Sequence, residues 1–341
     1  MERKSLYFLS KQRIEIRTEF LPKISADQMA VQSILSAISP GTELLFYHGQ
    51  VPDNIKIDKT IAALNGNSDF PLKYGYAVVG KVVEIGSNVN SHWLDKIVFA
   101  FHPHENLFLA REDELIPIPD DLPVEKALFL PSMETAVNFL MDGQPLIGEQ
   151  VVVFGQGIIG LVTTALLSQF PVSFILTLDK YPLRRKSSLL MGASECIDPT
   201  GPQSITKIKQ LLKKKAGRDY ADLVYELSGN LNALNQAIQI TGFEGRIVIG
   251  SWYGEKEEKL SLGTQFHRNR IQLISSQVST VASLFCGRWD KKRRLQVAFK
   301  QLEKLELSHL ITHRIPFENA AEAYKLIDEH PEKTVQVLLS Y

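Results

Sequence analysis

The spacing of apolar residues changes character near residue 130. Before that point they come in short runs, at 14–16, 78–85 and 96–101, broken by glycine, proline and other turn-forming residues. Such runs predict short strands and a compact β-rich unit with little helix. From Met133 the pattern switches to a helical stretch over 134–142, then apolar runs at 151–154, 174–178, 222–226, 245–250 and 271–275. Strands that are apolar on both faces and alternate with helices predict an α/β unit with a doubly wound parallel sheet. Past residue 289 come a long amphipathic helix ending at 305, a strand at 313–315, a helix over 320–327 and a closing strand over 335–339. The expected division is 1–132, 133–288 and 289–341. Residues 50–70 are polar and read as a long loop over an entrance.

Length agrees with more than one unit, since 341 residues exceed what a single hydrophobic core usually organises. The most hydrophobic stretch, 151–178, is not a membrane span: glycines, Gln156, Gln169 and Pro171 keep it short of the roughly 20 apolar residues a span requires. Lys plus Arg and Asp plus Glu number 38 each, so no net field draws the chain to nucleic acid or to an anionic membrane. A small molecule is the expected partner. Two basic clusters read as structural: 207–215 as a solvated helix face with Ile208, Leu211 and Leu212 turned inward, and Arg288, Lys291, Lys292, Arg293 and Arg294 as a salt-bridged helix start. Cys196 and Cys286 are too few and too far apart for a disulfide framework, and the alternating polar and apolar residues after Met1-Glu-Arg-Lys do not predict a secretory signal, so the cytoplasm is the expected compartment.

The chemistry concentrates at Val151-Val-Val-Phe-Gly155-Gln-Gly157-Ile-Ile-Gly160, where an apolar strand runs into a glycine-rich turn and a helix, and a second strand delivers Asp179. This order predicts a dinucleotide-binding βαβ unit. Gly155 permits the tight turn, Gly157 lets a pyrophosphate approach the backbone, and Gly160 lets helix and strand pack closely. With Gln156, Ile158 and Ile159 they form the expected pyrophosphate cradle at a helix start. Asp179 would accept hydrogen bonds from a ribose and repel a 2′-phosphate, which favours NAD over NADP. Lys180 and the Arg184-Arg185 pair would favour a 2′-phosphate, and S-adenosylmethionine enzymes use a similar loop and acid.

Taken together these residues resemble the medium-chain dehydrogenase/reductase superfamily, over essentially the whole chain. Pro40-Gly-Thr-Glu-Leu-Leu-Phe-Tyr-His-Gly49 is similar to the family's Cys-Gly-Thr-Asp segment, and Gly75-Tyr-Ala-Val-Val-Gly80 to its Gly-His-Glu segment. Glu226-Leu-Ser-Gly-Asn230 and residues 245–250 add later strand ends, so that Leu227, Ser228, Ile249 and Ser251 join the implied cofactor contacts. The resemblance implies a GroES-like catalytic domain, an inserted Rossmann domain, a return to the catalytic domain, and a homodimer built edge to edge. Within the superfamily, Ser251-Trp-Tyr-Gly254, 266–270 and 275–278 resemble the branch named after hydroxyethyl-bacteriochlorophyllide dehydrogenase.

Departures from the family sharpen the expectation. Its zinc ligands fall at Pro40, Tyr76 and near Leu130, and neither proline nor leucine offers a ligand atom while a neutral phenol is a poor one. Two cysteines cannot build the structural zinc lobe. No zinc is therefore expected, and a carbonyl oxygen must be polarised by hydrogen-bond donors. Thr42 takes the family's relay hydroxyl position, Tyr76 replaces a ligand histidine, and Leu45 replaces the relay histidine. His102 and His104, two apart in an extended segment, would face one side, where either could meet substrate or, with Glu43 or Glu134, bind a relocated metal. The leading reading is a zinc-independent NAD(H)-linked oxidoreductase acting on a carbonyl, an alcohol or an activated double bond. A non-catalytic nucleotide-binding protein and a dehydrogenase with relocated metal ligands remain the alternatives.

Overall fold

A computed structural model describes residues 2–52, 55–58 and 60–341. The chain divides into two compact units: Met1–Pro131 with Leu302–Tyr341, and Ser132–Gln301.

The first unit is the β-rich one. Its larger sheet runs in the order Ile311–Pro316, Gln336–Ser340, Met29–Ala37, Val78–Ile85, Ile97–Ala100 and Leu115–Pro117, with Leu107–Ala110 also paired to Met29–Ala37. A smaller antiparallel sheet joins Arg13–Phe20, Glu2–Ser10 and Leu72–Lys73. The C-terminal segment thus closes the sheet opened by the N-terminal half: Gln336–Ser340 pairs antiparallel with Met29–Ala37. One helix interrupts the strands early, Pro40–Tyr47, with proline at its first position, where its fixed φ suits a helix and its missing N–H costs nothing. That helix and Ala320–Glu329 pack with Leu6, Phe8 and Val337 into one core through Leu45, Phe46, Tyr324 and Ile327. The expected loop at 50–70 holds a short turn, Ala62–Leu64, and a bridge between Lys56 and Asn67; its residues Asp53, Asn54 and Lys59 lie outside the described residues.

The second unit holds six parallel strands, β1 (Gln150–Phe154), β2 (Phe174–Leu178), β3 (Glu195–Ile197), β4 (Ala221–Glu226), β5 (Thr241–Ile249) and β6 (Gln272–Ser275), in the order 3-2-1-4-5-6. β1, β2 and most of β4 are buried along their whole length, because helices cover both faces of a parallel sheet. The strand order reverses between β1 and β4, and ligands of such sheets bind beyond the carboxyl ends of the strands there.

The return to the first unit falls at Leu302 rather than at residue 289. The cause is Arg294, fully buried in the helix Lys291–Lys304. Its guanidinium donates to Glu134 at 2.9 Å, to Asn138 at 2.6 Å and to the carbonyls of Thr280 and Val278. These partners belong to the second unit and hold the helix start within it.

Candidate active site

Candidate functional residues gather in two places, each within one unit. In the parallel-sheet unit, β1 ends at Phe154 and Gly155 turns the chain with φ at +86°. A Cβ there would stand 2.6 Å from Ser228 Cα and 2.7 Å from the Leu227 carbonyl, so the segment after β4 lies directly against the glycine turn. At Gly160 a Cβ would fall 1.9 Å from the Gly155 carbonyl, an impossible approach. Gly157 differs: nothing lies within 4 Å of its Cβ position. It is the N-cap of the helix α1, Ile158–Leu167, and no side chain caps that end. The first N–H groups of α1 are therefore free to receive an anion beside an open glycine face, and the residues present fit a dinucleotide pyrophosphate.

Asp179 is buried at the end of β2, with its carboxylate accepting from the Gln156 N–H and from the Tyr181 N–H, each at 2.8 Å. The Gln156 side chain turns inward instead of toward a ligand: its amide donates to the Gly155 carbonyl at 2.9 Å and accepts from Thr164 at 3.1 Å. Lys180 and Arg184 both lie over the Tyr181 ring, at 4.7 and 4.9 Å from its centre. At the β4 end, Glu226 is fully buried and accepts from the Ser228 N–H at 2.9 Å, the Ser228 hydroxyl and the Tyr253 hydroxyl. Ser251, just past Ile249 at the β5 end, accepts from the Gly229 N–H at 2.9 Å and donates to the Glu226 carbonyl at 3.3 Å. Glu226 and Tyr253 brace these loops, and periodicity did not single them out; the only hint was the Glu226-Leu-Ser-Gly segment itself.

In the β-rich unit the hydroxyls of Tyr76, Ser39 and Thr42 meet. The half-buried Tyr76 donates to Ser39 and has Thr42 as a second hydrogen-bonding neighbour. Burial holds its phenol above the ordinary range against the opposing pull of those two hydroxyls, so Tyr76 stays protonated and acts as a donor. Next to them Glu43 is wholly buried, with one oxygen accepting from the Ser39 N–H at 2.7 Å and the other bonded to the Tyr324 hydroxyl and to His104 Nε2, the latter at 3.1 Å. His104 Nδ1 lies 2.7 Å from Ser36 Oγ, which is 3.0 Å from the Tyr341 hydroxyl. Gly75 lets the backbone pass this ring: a Cβ there would sit 2.6 Å from it. Ser36, Ser39, Tyr324 and Tyr341 were absent from the sequence expectation, since nothing local pairs residues so distant along the chain.

His102 and His104 do not share a face. His102 stacks on Phe108 with ring centres 3.9 Å apart, and its Nδ1 bonds the Pro103 carbonyl, while His104, 0% exposed, spends both nitrogens on Ser36 and Glu43. Glu134 is held by Arg294. The relocated ligand set is not assembled, and among the described residues no group of three or more His, Cys, Asp or Glu side chains stands ready to hold a metal ion. At the family's ligand positions Pro40 opens a helix, Tyr76 is bonded to Ser39, and Leu130 is buried apolar core. These residues do not fit the family's catalytic zinc.

Comparison with known proteins bears on both parts. Residues 159–291 match the zinc-binding dehydrogenase family, a stretch within the parallel-sheet unit that includes none of Pro40, Tyr76 and Leu130. D-guloside 3-dehydrogenase of Escherichia coli (strain K12) is 24% identical over 273 residues, which are 78% of this chain and 77% of that protein. The crystal structure of 2R,3R-butanediol dehydrogenase from Bacillus subtilis superposes with a TM-score of 0.79 at 19% identity, covering 99% of both chains. A short chain alcohol dehydrogenase from Escherichia coli CFT073, complexed with NADH, does so with a TM-score of 0.79 at 19% identity over 100% of this chain and 99% of the other.

Proposed function

We propose that this chain is an oxidoreductase of the medium-chain dehydrogenase/reductase superfamily that works without zinc, using NAD(H) to interconvert a secondary alcohol and its ketone. The observation that carries the reading is the glycine turn, with an open face at Gly157 and Asp179 at the neighbouring strand end. The bound nicotinamide supplies or takes the hydride. Asp179 favours NAD over NADP, since a 2′-phosphate would meet a buried carboxylate. Thr42, and Tyr76 by way of the Ser39 hydroxyl that it bonds, stabilise the substrate oxygen as charge develops on it, the task that a metal ion performs in zinc enzymes. His104 acts on the Ser39 backbone through Glu43. The names of the similar proteins support an alcohol substrate: one oxidises position 3 of a guloside and the other a 2,3-diol.

The reading is tested by titrating the purified chain with NADH in a calorimeter and assaying it, after dialysis against a chelator, with secondary alcohols and ketones. Saturable NADH binding and chelator-resistant turnover are expected; no NADH binding would overturn it. Leu45, buried where the family keeps a relay histidine, favours the second reading, a nucleotide-binding protein without turnover. A homodimer is proposed through β6, which ends the six-stranded order and among the described residues pairs with β5 alone, and sedimentation velocity would check it.

A further inference from the structure

We propose that Ser39 is a catalytic residue, the hydroxyl that hands a proton to the substrate oxygen, and that Glu43, clamped by His104, is the positioning residue that aims it. This deepens the oxidoreductase reading and rests on it.

The observation is a misplaced cap. Ser39 occupies the N-cap of the helix Pro40–Tyr47, where a serine hydroxyl ordinarily accepts a hydrogen bond from a backbone N–H of the first turn. Here it makes no such bond. Its oxygen accepts instead from the Tyr76 phenol, and its own proton has no recorded acceptor among the described residues. A serine taken from its structural task, fed a hydrogen bond from a protonated tyrosine, and left with a proton to give has the arrangement of a donor to an external oxygen. Ser39 is half-buried, so that oxygen can reach it.

Its orientation is set from behind. The Ser39 N–H is fixed at 2.7 Å on Glu43, and that carboxylate is held by His104 at 3.1 Å and by Tyr324. His104 is held in turn by Ser36 at 2.7 Å. All four of these partners are buried, and a wholly buried carboxylate with three donors has little freedom to swing. The link from Glu43 to Ser39 runs through a backbone N–H and carries no proton, so Glu43 positions and does not relay.

In the reduction direction the hydride reaches the carbonyl carbon and the π electrons of the C=O bond move to oxygen. As that oxygen becomes an alkoxide, the Ser39 O–H breaks and its proton joins the oxygen. The Tyr76 O–H passes its proton to Ser39, and water returns one to Tyr76. Each hydroxyl gains a proton as it loses one, and the sum is one hydride and one solvent proton added to the ketone. Oxidation reverses every transfer.

The test uses the full chain and four probes: 2,3-butanediol, xylitol, methyl glucopyranoside and cyclohexanone, with NAD+ or NADH. In Ser39→Ala, kcat falls about 100-fold and the solvent deuterium isotope effect shrinks, as expected when a positioned proton donor is lost. NADH affinity and the melting temperature stay at wild-type values, which excludes misfolding, and Ser39→Thr restores most of the rate. In Glu43→Gln, kcat falls while the isotope effect remains. A Ser39→Ala enzyme with wild-type kcat, or one with reduced kcat and an unchanged isotope effect, overturns the role of Ser39 and leaves the oxidoreductase reading standing. A wild-type chain that turns over none of the four probes overturns that reading, and the role of Ser39 falls with it.

Discussion

Three glycines in one loop carry three different physical demands, and substitution separates them. Gly160→Ala would drive a methyl group to 1.9 Å from a carbonyl oxygen, so we expect a protein that melts at a lower temperature and loses NADH binding together with stability. Gly157→Ala meets nothing within 4 Å, so its melting temperature stays near wild type while NADH affinity falls by roughly tenfold or more, the methyl group now standing where the backbone should meet pyrophosphate. Paired thermal melts and calorimetric titrations check both. The glycine spacing was readable from the residues alone, because each rule acts within a few positions. The inward turn of the Gln156 side chain was not, since its partner Thr164 stands eight residues further along the chain.

His102 provides a pH signature. Burial lowers its pKa from 6.5 to about 4, with Glu105 pulling the other way. The folded chain therefore takes up this proton later than the unfolded chain as pH falls. The stabilisation is complete above pH 6.5 and is lost as pH falls through about 4. The loss is on the order of 3 kcal/mol at most. Urea melts of His102→Gln and wild type at pH 7 and pH 5 test the sign: wild type should lose more stability between them. Glu19 adds to the loss only under more acidic conditions; burial raises its pKa, but hydrogen bonds from Tyr7 and Lys73 prevail and bring it to about 2.

The helices show where period-based reading reaches its limit. Ala320–Glu329 and Lys291–Lys304 fall where their apolar spacing placed them. Pro40–Tyr47 does not show itself in that way, since its buried Glu43 breaks the apolar stripe and only tertiary partners, His104 and Tyr324, make that position tolerable. The start of Lys291–Lys304 was readable as basic and salt-bridged, yet the burial of Arg294 was not. Removing one member of a buried ion pair leaves the other charged and without a partner. Arg294→Met should destabilise the chain by about 3–5 kcal/mol in urea melts, and adding Glu134→Leu should recover part of that loss.

Taken whole, the chain sets a glycine turn that fits a dinucleotide in its parallel-sheet unit, and in its β-rich unit brings the Tyr76 and Ser39 hydroxyls together beside a buried Glu43–His104 pair. We expect elemental analysis of protein purified without chelator to find no stoichiometric zinc, and added zinc to leave turnover unchanged. What the residues alone determined was local in origin: the alternation that separates a β-rich unit from a parallel sheet, the glycine turn with its acid, and the loss of ligand atoms at Pro40, Tyr76 and Leu130. Side-chain chemistry and backbone freedom act over a few positions, so such features are written in order along the chain. Only the tertiary structure decided that His104 turns from His102 to Glu43, that Arg294 holds its helix in the parallel-sheet unit, and that Tyr76 meets Ser39. Those outcomes depend on which buried polar groups must satisfy one another once water is removed, and the partners lie 61 residues apart for His104 and Glu43 and 160 for Arg294 and Glu134.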